Sequence, residues 1–108
     1  MLVLVITPEG EVTKRDIEGD LASMQEIVGG LIQPIDVLPD CTVWVNEEGI
    51  VDGLPFNPVA TFWTRMWYDV TLFGTAFMTG GVDEEGNILP LKEEYADAFI
   101  QRYQEVMG

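Results

Sequence analysis

Asn46, Glu47, Asn57, Trp63, Arg65, Trp67 and Tyr68 are the side chains of this sequence best equipped to hold another molecule. Indole and phenol faces stack, a guanidinium pairs with carboxylate or phosphate, and amides give directional hydrogen bonds. Trp63, Arg65, Trp67 and Tyr68, close together in 62–68, have the composition of a protein-interface anchor. The same set suits a nucleotide, with a base on Trp63 or Trp67 and a phosphate on Arg65. The plainer alternative is a short helix or loop that covers one end of the core with Ala60, Trp63, Met66 and Trp67 on one face. Asn57 either holds the Leu54–Pro58 turn together through its amide or projects into a pocket to meet a ligand.

Bond-making chemistry has little to work with. The sequence has no histidine and one cysteine, Cys41, so neither an imidazole base nor a Ser-His-Asp or Cys-His arrangement is present. Gly29-Gly30 and Gly80-Gly81 lack the spacing and the lysine of a phosphate-binding loop. Carboxylates are so numerous, 19 in all, that no one pair of them marks an acid–base site. Cys41 has no disulfide partner and reads as a packed residue at a strand start. The acidic turns lack the alternating oxygen ligands of a calcium loop, so neither a metal nor a cofactor is expected. A non-enzymatic binding protein is the first expectation, a small-ligand or nucleotide-sequestering binder the second, and a carboxylate enzyme with a bound metal the third.

Charge narrows the partners. Nineteen acidic against five basic residues leave a formal charge of −14 on 108 residues, with 47% apolar content that speaks for a folded core rather than disorder. Direct binding to nucleic acid or to an anionic membrane is disfavoured, because both draw on lysine and arginine. A protein with a basic surface is the partner that such a field steers in. The apolar run Leu2–Ile6 is too short for a membrane span and has no basic flank, so a cytoplasmic location is expected. The aromatic patch on so small a chain suggests a homodimer.

The elements that must position these residues make one domain over 1–108. Leu2–Ile6 is a continuous apolar run and therefore a strand covered on both faces. Glu11–Ile17 returns as an edge strand that Lys14 and Arg15 protect from stray pairing. Asp20 caps a helix with Leu21, Met24, Ile27 and Val28 at helical spacing, ended by Gly29-Gly30. Leu31–Asp40, with two prolines, reads as an irregular connection or a short strand at 35–37. Cys41–Asn57 reads as a hairpin: Thr42–Val45, an acidic turn at Asn46–Gly49 in which Gly49 can take a positive φ without steric cost, and a return over Ile50-Val51. Val70–Gly80 reads as a buried strand with a bulge or close approach at Gly74, and Lys92–Met107 as a helix carrying Tyr95, Phe99, Tyr103 and Val106 on one face. The fold class is α+β: a mostly antiparallel sheet of about five or six strands with two main helices packed on it. The segments 8–12, 46–51 and 83–88 each place acid before glycine, as three separate hairpin turns or as carboxylates gathered at one end of the sheet.

GDLASMQEIVGGLIQPI, VNEEGIVDGLPFN and FGTAFMTGG, in this order over about residues 2–90, resemble the family of small proteins called domain of unknown function 3846. The residues that carry the resemblance are Gly29, Gly30, Asn46, Glu47, Gly49, Gly53, Leu54, Pro55, Asn57 and Gly74. It implies a home in bacteriophages and mobile elements and brings no activity with it. The Trp-rich stretch 62–68 departs from the family pattern. Together with the charge, the single domain, the missing catalytic signatures and the aromatics, that home makes the expectation an accessory protein that binds and perturbs a host protein, in an anti-defence or host-takeover role that includes acidic mimicry of DNA.

Overall fold

The computed structural model describes residues 1–107. Eight elements follow one another: β1 (Leu2–Ile6), β2 (Val12–Asp16), α1 (Leu21–Val28), β3 (Ile32–Leu38), β4 (Cys41–Asn46), α2 (Pro58–Thr64), β5 (Ala76–Thr79) and α3 (Glu93–Met107). The strands form one antiparallel sheet in the order β2-β1-β5-β4-β3, so the last strand in sequence lies at the centre. Phe77 of β5 pairs with Val5 on one side and with Trp44 on the other. The Trp44 and Phe77 rings stack with centroids 6.1 Å apart, and Trp44 Nε1 donates to Thr79 Oγ1 at 2.9 Å.

The two faces of the sheet carry separate cores. Val3, Val5, Trp44 and Phe77 pack with Met24 and Val28 of α1. Leu4, Ile6, Val43, Val45 and Met78 pack on the opposite side with Ala60 of α2 and with Ala96 and Phe99 of α3. Side chains alternate across a strand, so covering both faces demands apolar residues at every position of β1. The α+β class, the antiparallel sheet and its five strands thus agree with the expectation, as does β2 at the edge, where Lys14 is held by Asp97 at 2.8 Å and Glu93 at 3.3 Å. Asp20 caps α1 by accepting from the Ser23 amide, and Gly29 ends it in the left-handed conformation at φ +77°. A third, short helix, α2, covers Pro58–Thr64, and the chain turns after it.

Three readings are corrected. β4 does not pair with a returning strand at Ile50-Val51: those side chains are 73% and 85% exposed, and the backbone of 47–54 coils back on itself through Asp52 N to Glu48 O and Leu54 N to Gly49 O. The partner of β4 is the segment before it, β3, across the turn at Pro39-Asp40. Pro34 is tolerated in β3 because that strand is an edge, where a missing N–H breaks no ladder. Gly49 has no positive φ; it is glycine because an added Cβ would come within 3.0 Å of the Phe73 carbonyl oxygen. In 70–80 only 76–79 is strand, since Gly74, at φ +83°, lies under Leu54 Cδ1, and a Cβ there would meet it at 2.7 Å.

Close approach also fixes Gly80, whose added Cβ would collide with the Pro90 carbonyl oxygen, whereas nothing surrounds Gly29 within 4 Å. Gly29→Ala is therefore expected to cost only the left-handed backbone term of about 1–2 kcal/mol, and Gly80→Ala more than about 3 kcal/mol because backbone must move. Urea unfolding of the two variants checks this, and an equal loss in both would refute the close-approach explanation.

Candidate functional site

Asn57 is fully buried. Its Oδ1 accepts from the Ala60 amide at 3.1 Å, capping α2, and its Nδ2 donates to the carbonyls of Ile6 at 3.0 Å and Gly74 at 2.9 Å. Its own amide donates to Leu72 O at 2.9 Å. Both amide protons are spent inside the fold, so Asn57 does not project into a pocket. The internal alternative holds, on a larger scale than the local turn: the side chain joins the end of β1 to α2 and to the 72–74 segment.

Asn46 is similarly internal. Its Nδ2 donates to Val28 O at 3.2 Å and its Oδ1 accepts from the Glu48 amide at 2.8 Å, tying the end of α1 to the turn after β4. Gly30 is where an added Cβ would press on that amide, 2.9 Å from Nδ2. Glu47, by contrast, is exposed. Arg65 closes its own loop, with Nε donating to Val70 O and Nη2 to Thr71 Oγ1, each at 2.9 Å. Tyr68 donates its hydroxyl proton to Asp36 O at 2.7 Å. The seven candidates therefore do not converge.

Between α2 and α3 a groove of about 280 Å³ opens. Its floor is Trp63 and Phe99, edge to face at 4.8 Å; its walls are Phe62 and Met66 on one side and Val106 on the other; Arg102 stands at its margin. Trp67 braces Trp63 from behind at 5.2 Å. The segment is thus divided: Thr61 and Thr64 are core, Trp63 is half-buried, and Phe62 and Met66 face solvent. Among the described residues, the buried polar side-chain atoms without a hydrogen-bond partner, Trp63 Nε1 and Thr64 Oγ1, both belong to α2. Each such atom costs about 1–3 kcal/mol, so α2 is held here by packing and by the Asn57 cap.

None of the 19 carboxylates is buried. The strand directions put the 7–11 and 47–53 turns at one end of the sheet and the 83–87 turn at the other, so the three acidic turns do not meet. Several acids shape their own surroundings. Asp83 accepts from the amides of Asn87 at 2.8 Å and Glu85 at 2.9 Å, and those bonds, the Asn87 contacts foremost, hold its carboxyl below the usual range. Asp40 accepts from the Tyr95 hydroxyl at 2.7 Å and the Lys92 ammonium at 3.2 Å, which lowers its pKa in the same way. The neighbouring Cys41 thiol is pushed up to about 11, by burial first and by Asp40 second. A thiol so protonated is no nucleophile at neutral pH. Among the described residues no three carboxylate or thiol groups come together as a metal site, and no helix is long and apolar enough to cross a membrane.

Set beside known proteins, the chain matches the model of one family, described as "Domain of unknown function (DUF3846)", over residues 1–105. No curated protein and no solved structure matches it.

Asn57→Asp replaces two buried donors with an acceptor facing two carbonyls, and should destabilise the fold by more than about 3 kcal/mol. An Asn57→Asp variant with unchanged thermal unfolding would show that the amide is not structural. Cys41 should resist iodoacetamide at pH 8 in the native chain and react on unfolding; rapid native alkylation, read by mass spectrometry, would contradict its raised pKa.

Proposed function

The chain belongs to the DUF3846 family, and we propose that it acts without chemistry of its own, by occupying a basic surface on another protein. The observation that supports this most directly is the placement of charge. A formal −14 is carried entirely by side chains that reach solvent, while three of the five cations, Lys14, Lys92 and Arg102, lie within 4 Å of carboxylates of the same chain. A field of this sign accelerates encounter with positively charged partners and repels nucleic acid and anionic lipid.

The small-ligand alternative loses Asn57 from its residues. A pocket built from the Gly53–Asn57 turn and the Trp63/Trp67 face would need Asn57 turned outward, and its amide protons are taken by Ile6 and Gly74. Strict imitation of B-DNA would need a dense row of anions, about one per 1.7 Å of axis; here the carboxylates are distributed over both ends of the sheet and along α3. The reading that fits is a broad acidic contact with a host protein, in the cytoplasm of a cell carrying a phage or mobile element, where covering a basic surface disables a defence or diverts a host activity.

Salt tests this directly, since screening shortens the reach of such contacts from about 10 Å at 0.1 M to about 3 Å at 1 M. Immobilised protein should retain a basic protein from bacterial lysate at low ionic strength and release it as salt rises. Replacing Glu84, Glu85, Glu93 and Glu94 with glutamine should weaken retention at least tenfold while lowering the unfolding temperature only slightly, because Lys14 keeps Asp97 when the exposed Glu93 pair is lost. Retention indifferent to salt and to these four substitutions would overturn the proposal, as would tight binding to bare duplex DNA.

A further inference from the structure

The geometry points to the α2/α3 groove as the seat of a second copy of this chain, in a twofold dimer where Phe62 of each copy enters the groove of the other. The case begins with what the face lacks. From Pro58 to Tyr68 there is not one acidic residue in eleven positions, in a sequence where 19 of 108 are acidic. On α3 the groove-lining positions Phe99, Arg102, Tyr103 and Val106 follow the i, i+3, i+4, i+7 spacing of one helix face, and none is acidic either. The charge on that stripe, Arg102, is partly offset by Glu105 at 3.9 Å.

Two bodies of charge −14 repel one another. They approach most easily where the opposed surfaces carry fewest carboxylates; no carboxylate lines the α2/α3 groove, and the one beside it, Glu105, is paired with Arg102. A basic partner is drawn elsewhere, to the acidic turns and the polar side of α3, so this face is free for a different occupant. It also carries the shape that a self-complementary contact needs. Phe62, 81% exposed, and Met66, 67% exposed, stand beside the hollow floored by Trp63 and Phe99, with Val106, 71% exposed, across it. In a twofold contact a projection next to a hollow on one copy meets a hollow next to a projection on the other. Aromatic and methionine side chains are those enriched at the buried centres of such interfaces.

Sedimentation velocity and native mass spectrometry from about 1 to 100 µM test it at two salt concentrations. A dimer is expected that tightens as salt rises, because screening removes the repulsion between copies; a carboxylate contact with a basic partner has the opposite salt dependence. Phe62→Glu and Met66→Glu should each weaken the dimer at least tenfold while leaving the unfolding temperature unchanged, since both side chains face solvent, and Glu84→Gln, on the 83–87 turn, should leave the dimer intact. A monomer at 100 µM in high salt overturns the inference. So does a dimer indifferent to both groove substitutions, and so does a monomer whose native mass spectrum shows a small apolar molecule bound and lost on Phe62→Glu.

Discussion

One buried amide sets the architecture of the α2 side of this protein. Asn57 donates to Ile6 O and Gly74 O, caps α2 through Ala60, and is anchored by its own backbone to Leu72. Every partner is a main-chain group, and buried main-chain groups need hydrogen-bond partners, which this side chain supplies across three segments. Because the cap fixes where α2 begins and how it lies against the sheet, it also fixes that Thr61 and Thr64 point inward, that Trp63 rests on Phe99, and that Phe62 and Met66 face out. The groove between α2 and α3 is a consequence of that amide.

Around it the residues that resemble the family form a connected structural cluster at one end of the sheet. Gly30 lies against the Asn46 amide, Gly49 under the Phe73 carbonyl, and Gly74 under Leu54. Pro55 O accepts from the Gly74 amide at 2.7 Å, and Asn57 holds the carbonyl of the same residue. Each contact is a backbone or amide pressed where a larger residue could not fit. What looks in sequence like a binding motif is in space a lock between α1, β4, the 47–56 coil and the approach to β5.

The local signals in the sequence were legible where local forces decide. Asp20 and Gly29 mark the ends of α1 because capping is a matter of neighbouring residues, and the unbroken apolar run of β1 reveals a strand covered on both faces. β3 was hidden because Pro34 and Pro39 read as breakers, while their cost depends on an edge position that only the strand order gives. Ile50-Val51 misled for the opposite reason: β-branched residues favour a pleated surface, but β4 was already paired on both sides by β3 and β5. Asn57 stands out in the sequence as a turn residue, yet its partner Ile6 lies 51 positions away, beyond any turn rule. The separation of the acidic turns depends likewise on the late insertion of β5 between β1 and β4.

The charge divides along the same structural lines. Some carboxylates build the fold: Asp20 caps α1, Asp83 organises its turn, Asp40 gathers Tyr95 and Lys92, and the hydrogen bonds that do this hold all three carboxyls below their usual range. Others, Glu47, Glu48, Glu84 and Glu85 among them, are exposed, and their side chains make no hydrogen bond or ion pair among the described residues. Their mutual repulsion works against the compact state, and the cores on both faces of the sheet offset it. A net charge needed only for solubility could be far smaller. The excess falls on the acidic turns and the polar side of α3, among other places, and no carboxylate lines the α2/α3 groove, so one small domain presents two surfaces of opposite character.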